Sequence, residues 1–540
     1  MQRKSLIAFC LLLIANCIFS QVSRPKLVVG LVIDQMRWDY LYRFNDLYGN
    51  GGFKRLLDKG FSCENTFIPY VPTYTAVGHT CVYTGSVPAY TGIIGNNWWD
   101  RNTNTNVYCT DDANVTGVGS NTIWGKMSPS NLWVTTITDE LRLSNNFKSK
   151  TIGIALKDRS SILPAGHSAN AAYWYDEKVG KWITSTYYMN ELPQWVQSFN
   201  AQDQPGKYMQ QTWNTLMPID RYDQSTGDDK DYESTILGEK TRTFPHVLSS
   251  IPDSSKYAAF KTTPYGTTYS FDFAKAAIQN ESLGQRAVTD FLTLSISSTD
   301  YVGHTFGPNS IEAEDMFLRL DNDIASFLNY LDEKVGKGNY LIFLTADHGV
   351  LQVPGFLREH KIPAGSFSEA DLTKDLNAAI EESFGLKKIV TNLQNYQVYL
   401  NLKEIENAGK DVNAIKALVI KTLKQQPYVF NAFETDKVAL APLPEPQRTM
   451  IINGYNPRRS GDIQFTFKSS YLDWGGKGTS HGLWNPYDSH IPLLWFGWNV
   501  KQGKTNRETY MTDISATVAA MLHIQMPSGC IGKPITELMK

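Results

Sequence analysis

Three carboxylates and three imidazoles stand just after, or close to, apolar runs of this chain: Asp34 in LVIDQMR, Asp300 and His304 in SSTDYVGH, Asp347 and His348 in TADHG, and His481 in GTSHGLW. These are the oxygen and nitrogen donors that zinc takes, and three carboxylates offset most of the charge of two divalent ions. Taken singly, each has an ordinary explanation. An Asp after a strand commonly caps a helix or turns the chain, an Asp and a His four apart are more often a surface contact, and many histidines are merely packed. Together they point to a metal centre. The acid and the histidine of TADHG, at the end of the run YLIFLT, suit a buried position if a cation neutralises one and fixes the tautomer of the other.

A second set of residues suits an anionic substrate. Thr75, in PTYTAVGHT, stands at an expected helix start, where a hydroxyl beside a divalent metal can be held partly as an alkoxide and act as a nucleophile. Ser and Thr also begin many helices with no catalytic role. Lys157 and Arg159, in LKDRS, follow the run TIGIAL. If the chain is still extended there, alternation points both to one side, where they meet an anion together with Asn96 of GIIGNNW. His79 and His490 lie near these segments and are expected to be structural, and Asp513 is expected to cap the final helix.

Positioning such groups requires a scaffold, and the apolar runs describe one. KLVVGLVI (26–33), TIGIAL (151–156), FLTLSI (291–296), YLIFLT (340–345) and IPLLWFG (491–497) are short and continuously apolar, as buried strands are when both sheet faces are covered. Between the third and fourth, Phe317, Leu320, Ile324, Phe327, Leu331 and Val335 recur at helical spacing, with Ser310 as N-cap and Gly336 as C-cap. Strand, helix, strand at this distance predicts a parallel crossover. The expected fold is α/β, a doubly wound and mostly parallel sheet with helices on both faces. Ligands of open α/β sheets bind beyond the carboxyl ends of the strands, which is where the candidate groups fall. Two stretches interrupt the pattern, at about 160–285 and 354–475, and both are expected to be inserts in one catalytic unit spanning 21–540. In the first, YWYDEKVGKWITSTYY predicts a hairpin; in the second, YQVYLNL, DVNAIKALVIKTLK and YVFNAFE predict a small α+β unit.

Composition narrows the class. The chain has 540 residues, 42% hydrophobic and 19% charged, which is globular rather than disordered. MQRKSLIAFCLLLIANCIFSQ places two basic residues ahead of an apolar run, which predicts a secretory signal peptide over residues 1–20 and a periplasmic or secreted protein. Removing Arg3 and Lys4 with the leader takes the net charge from −2 to about −4, and no basic stripe suggests a nucleic-acid partner. No later run is long enough for a membrane helix. Cys63, Cys81, Cys109 and Cys530 remain in the mature chain and allow one or two disulfides in an oxidising compartment.

The ordered set of Asp34, PTYTAVGHT around Thr75, GIIGNNW around Asn96, KDR around Lys157, DYVGH, TADHG and TSHG resembles the alkaline phosphatase superfamily, more particularly the single-chain bacterial alkaline phosphatases of the PafA type, whose nucleophile is a threonine. The resemblance runs through nearly the whole mature chain. It implies two Zn²⁺ ions, one on Asp300, His304 and His481, the other on Asp34, Asp347, His348 and the Thr75 oxygen. It further implies in-line attack by Thr75, a phosphothreonine intermediate, and Asn96, Lys157 and Arg159 as partners of the nonbridging phosphate oxygens. The expected substrates are small-molecule phosphomonoesters, acted on by a monomer. A phosphodiesterase or nucleotide pyrophosphatase of the same superfamily is the alternative, and the aromatic stretch 173–188 would then supply an apolar groove for the second ester group. A sulfatase would need a C-x-P-x-R segment where Thr75, Ala76 and Val77 stand, and a phosphomutase would normally be cytosolic.

Overall fold

A computed structural model describes residues 23–539, so the expected leader lies outside the described residues. The principal strands are β1 (Leu27–Ile33), β2 (Phe61–Phe67), β3 (Thr151–Ala155), β4 (Ala171–Asp176), β5 (Lys181–Ser185), β6 (Asp290–Ile296), β7 (Tyr340–Thr345), β8 (Leu493–Gly497) and β9 (Gly503–Tyr510). They belong to an 11-stranded sheet ordered β2-β8-β7-β1-β6-β3-β4-β5, with β9 on β2 and two-residue strands at His490–Ile491 and Gly117–Val118 outside the two ends. The five central strands β7, β1, β6, β3 and β4 are parallel. Every residue of β1, β3, β6 and β7 is buried, which is why these segments read as unbroken apolar runs.

Six helices matter here: α1 (Thr75–Thr84), α2 (Asp158–Ala165), α3 (Tyr265–Glu281), α4 (Ser298–Phe306), α5 (Ile311–Leu331) and α6 (Asp513–Leu522). The crossover β3-α2-β4 and the crossover β6-α5-β7 move in opposite directions along the sheet. Right-handed connections therefore place α2 and α5 on opposite faces, which covers both. α5 begins as its sequence predicts, with Ser310 Oγ accepting the Ala313 amide at 3.1 Å. Its end differs. The α-helix stops at Leu331 and a π-turn runs from Asp332 to Gly336, whose φ of +100° closes the segment.

The structure departs from the expected strands in direction. β8 pairs antiparallel with β7 and with β2, because an apolar run reports burial on both faces but not polarity of the chain. The hairpin of 171–185 forms, with Asp176 opposite Lys181, and it extends the central sheet. Its aromatics, Tyr173, Trp174, Tyr175 and Trp182, are buried, with Trp182 stacked on Tyr269 and Phe273 of α3. The stretch 160–285 thus supplies β4, β5 and α3 to the main layers. The stretch 354–475 forms a four-stranded antiparallel sheet, in the order Val390–Gln394, Gln397–Leu400, Ile463–Phe467 and Val429–Glu434. Helices Glu369–Phe384 and Val412–Gln425 pack on it around Leu376, Ile380, Val398, Ile415 and Phe465. The four cysteines are unbonded. Asp513 opens α6 but accepts from the amides of Tyr510 and Lys533 rather than from the helix's own first turn, so it ties the preceding and following segments together instead of capping.

Candidate active site

β1, β6 and β7 end nearly level, with Ile33 opposite Ile296 and Val32 opposite Thr345, so whatever follows these strands must meet. Asp34 follows β1 directly. Asp347 and His348 follow β7. α4 begins two residues after β6 and carries Asp300 and His304 one turn apart on one face. His481 arrives from the loop before β8.

Two groups of donors result, each with its ligand atoms within 4.8 Å of one another: Asp300, His304 and His481, and Asp34, Asp347 and His348. In the first, His304 Nε2 lies 3.2 Å and His481 Nε2 3.7 Å from Asp300 Oδ1. In the second, His348 Nε2 lies 3.5 Å from Asp34 Oδ1 and 3.3 Å from Asp347 Oδ2. Those two carboxylate oxygens are buried and accept no hydrogen bond among the described residues. Buried oxygens facing an imidazole nitrogen and lacking any donor are what a divalent cation satisfies, so the donor set fits one. Each histidine is also held for ligation: Nδ1 sits 2.8 Å from the Thr479 carbonyl in His304, 2.7 Å from Thr73 in His481 and 3.0 Å from Gly349 in His348. A carbonyl only accepts, so Nδ1 carries the proton and Nε2 presents its lone pair to the cluster.

The electrostatics agree. Burial, and then the facing Asp347 carboxylate, hold the Asp34 carboxyl well above its ordinary range, and burial lifts Asp347 to about 7 against the pull of Lys157. Asp300 goes the other way; burial opposes its charge, but His304 and Lys157 outweigh that and hold it well below the usual range. Burial and His481 depress His348, and burial and His304 press His481 down to about 3, so these two imidazoles are neutral; at His304 burial is outweighed by the facing Asp300 carboxylate, which raises it, so this ring must release its Nε2 proton to ligate.

Thr75 is the first residue of α1, and its Oγ1 lies 3.4 Å from His348 Nε2 and 3.5 Å from Lys157 Nζ, facing the second donor group. Lys157 Nζ donates to Asp34 Oδ2 at 2.8 Å and to Asp300 Oδ2 at 2.5 Å, linking the two groups. Asn96 Oδ1 accepts the Ala76 amide at 3.0 Å, which leaves its NH₂ as the group free to donate. The expected extension through KDR does not occur: Lys157 is the last extended residue and α2 begins at Asp158. Arg159 therefore leaves from the first helical turn, and its Nη1 donates to the Tyr108 hydroxyl at 3.0 Å while it still lines one cavity with Lys157. Tyr108 in turn donates to Asp158 Oδ1 at 2.7 Å, whose Oδ2 accepts Thr110 Oγ1 at 2.7 Å.

Sequence reasoning passed over Gln35. Its side chain donates to Asp300 Oδ1 at 2.7 Å, and its amide donates to Asp347 Oδ1 at 3.1 Å, so it fixes one carboxylate of each group. Gln35 adopts φ +66°, a conformation that side-chain-bearing residues avoid unless their contacts compensate. Its place directly after Asp34 was the available signal. Tyr108 and Asp158 were also missed; only the fold reveals that Tyr108 meets Arg159. His79 packs as expected, but against the site: Nδ1 is 2.9 Å from the Thr75 carbonyl and 3.3 Å from Asp347 Oδ2, and Nε2 is 2.8 Å from Ser295 Oγ. His490 is structural, stacked between Trp38 and Phe67.

A mostly parallel α/β sheet with two Asp/His donor groups and a hydroxyl at its strand ends defines a metallo-phosphoesterase of the alkaline phosphatase superfamily. The family model for type I phosphodiesterase / nucleotide pyrophosphatase matches residues 28–479, and within that wider family the chain belongs with the PafA-type alkaline phosphatases. It is 54% identical to alkaline phosphatase PhoV of Synechococcus elongatus over 519 residues, 96% of this chain and 94% of that protein. It is 50% identical to alkaline phosphatase PafA of Elizabethkingia meningoseptica over 521 residues, 96% of this chain and 95% of that one. The crystal structure of wild-type alkaline phosphatase PafA superimposes with a TM-score of 0.94 at 49% identity, covering 96% of this chain and all of the other.

Proposed function

We propose that this chain is a metal-dependent phosphomonoesterase that releases inorganic phosphate through a phosphothreonine intermediate. The observation that carries the reading is the convergence of Thr75 Oγ1, Lys157 Nζ and two orphaned carboxylate oxygens within a few ångströms at the ends of β1, β3 and β7. Asp300, His304 and His481 would hold one Zn²⁺, and Asp34, Asp347 and His348 with the Thr75 oxygen the other. Two such cations supply Lewis-acid stabilisation of charge on the attacking and leaving oxygens of an in-line displacement. The chain's own residues do the rest. The N-terminus of α1 lowers the cost of negative charge on Thr75 Oγ1; that oxygen gives its proton to solvent and attacks phosphorus as the ester P–O bond breaks, and the departing alkoxide takes a proton from water and leaves as the alcohol. Lys157 and the Asn96 NH₂ meet nonbridging oxygens, and Arg159, once it exchanges Tyr108 for substrate, adds a charge-assisted contact. Hydrolysis of the phosphothreonine regenerates the hydroxyl.

The monoester dianion is favoured because it carries more charge on the nonbridging oxygens, where the buried Lys157 ammonium and the partly buried Arg159 guanidinium stand. The aromatic hairpin supplies no groove for a diester: Tyr173, Trp174, Tyr175 and Trp182 are core residues. All the groups come from one chain, so a monomer suffices. Among the described residues no helix is long and apolar enough to cross a membrane, and export to the periplasm or beyond follows from the leader. Mass analysis of the mature N-terminus, expected near Gln21, tests that point. The activity is tested by metal analysis paired with turnover of an aryl phosphate and of its methyl aryl diester. Metal-dependent turnover with the monoester faster is expected; no turnover of either ester, or faster diester turnover, overturns the proposal.

A further inference from the structure

The strands Val390–Gln394 and Gln397–Leu400 form a hairpin whose two-residue turn is Asn395-Tyr396, with φ of +56° and +61°. This is a tight turn of the type in which both central residues are left-handed. Tips of this kind normally face water. Here both residues are 5% exposed, so the tip is seated on something. Its seat is the catalytic segment around Asn96. Asn395 Nδ2 donates to the Asn97 carbonyl at 2.8 Å, and a Cβ on Gly95 would fall 2.6 to 2.8 Å from the Asn395 amide atoms, so a side chain at 95 would displace this amide from its seat. The tip thus touches the backbone on both sides of Asn96. The neighbouring turn residue reaches the other half of the site: Tyr396 packs on Tyr74, the residue before Thr75, and its hydroxyl lies 3.4 Å from the His481 carbonyl. From the same inserted unit, the Arg459 guanidinium lies 4.3 Å from the rings of both Trp98 and Trp133 and donates to the Asn131 carbonyl at 3.1 Å, clamping the outer end of this segment.

We infer that Asn395 is a positioning residue for the phosphate site: from the inserted unit, it pins the Gly95–Asn97 backbone and thereby aims the Asn96 amide at a nonbridging phosphate oxygen. The side chain of Asn96 has its Oδ1 fixed by the Ala76 amide and its own carbonyl accepts the Cys109 amide at 3.0 Å, so the remaining freedom is in the peptide that follows, whose carbonyl belongs to Asn97. Asn395 removes it. A shift of about 1 Å in a group that binds a reacting oxygen is enough to cost much of its contribution.

The inference rests on the role proposed for Asn96, and the experiment separates the two. Asn395→Gly deletes the amide while suiting the left-handed turn, so the hairpin is retained. In the wild-type background this variant should lower kcat/KM for an aryl phosphate about tenfold and weaken inhibition by inorganic phosphate by a similar factor, with metal content unchanged. In an Asn96→Ala background the same change should cost less than about twofold, because the group it positions is gone. An equal loss in both backgrounds, or no loss in either, overturns the inference while leaving Asn96 in place. An Asn96→Ala enzyme as active as its parent overturns the role of Asn96, and the inference with it.

Discussion

Thr75 and Arg159 make separate claims, one about bond formation and one about charge. Thr75→Ala removes the only hydroxyl proposed to attack phosphorus while leaving all six Asp and His donors, so it should bind two metals and form no phosphoenzyme. Intact-mass or acid-quench labelling checks this; label retained at full level in the variant refutes the assignment. Arg159→Ala removes a charge-assisted contact to an oxygen that is more negative in a monoester than in a diester. It should lower kcat/KM for the monoester about 10²-fold, some 2–3 kcal/mol, and for the diester by less than about tenfold. Paired kinetics on the two esters decide it, and equal losses would remove the basis for choosing a monoester. Lys157 is not equivalent to Arg159, since it already bonds Asp34 and Asp300 and its loss would free both carboxylates to repel one another.

α1 must pass close to the end of β7 if Thr75 is to face the second donor group, and Gly78 permits it. A Cβ there would lie 2.4 Å from the Asp347 carbonyl and 2.7 Å from Asp347 Cβ. Gly78→Ala brings two opposed effects. Helix propensity favours Ala by about 1 kcal/mol, whereas overpacking against backbone costs about 1–3 kcal/mol. The steric cost wins, because the atoms met belong to a strand end and cannot swing away. The variant should be less stable and should lose kcat as Thr75 moves off the cluster. Chemical unfolding and single-substrate kinetics test both arms; an unchanged kcat would mean that α1 is not held against Asp347.

Across the whole molecule the donor groups gather the ends of β1, β6 and β7 with a loop from far along the chain, so bound metal should hold these parts together. A ligand at a thousand times its Kd stabilises by about 4 kcal/mol, and chelation should lower the unfolding temperature accordingly. The effect has a defined pH sign. Asp34 and Asp347 have folded pKa values raised above their ordinary ones, Asp347 to about 7. In the metal-free protein their protonation therefore stabilises fully below the ordinary carboxylate range, and that stability is lost as pH rises through about 7. A cation takes over where the proton leaves. The difference in unfolding temperature between metal-loaded and chelated protein should grow from pH 5 to pH 8; a difference that shrinks over this interval would contradict the donor assignment.

Much of this was written along the chain. The runs that became β1, β3, β6 and β7 were recognisable because strands covered on both faces are predominantly apolar, and the donors were recognisable because they follow those runs. Residue type and order therefore determined the fold class and picked out the six Asp and His side chains that gather into two donor groups, with Thr75 beside them. Tertiary structure alone decided what depends on convergence: the antiparallel entry of β8, the turn into α2 that sends Arg159 to Tyr108, the reach of Gln35 to both carboxylates, and the seating of the Asn395-Tyr396 tip beside Asn96. These arise between residues tens to hundreds of positions apart, and their strength lies in distance and direction. Local pattern carries the burial of a segment and the chemistry of a side chain; only the packed chain fixes which of them come within bonding distance.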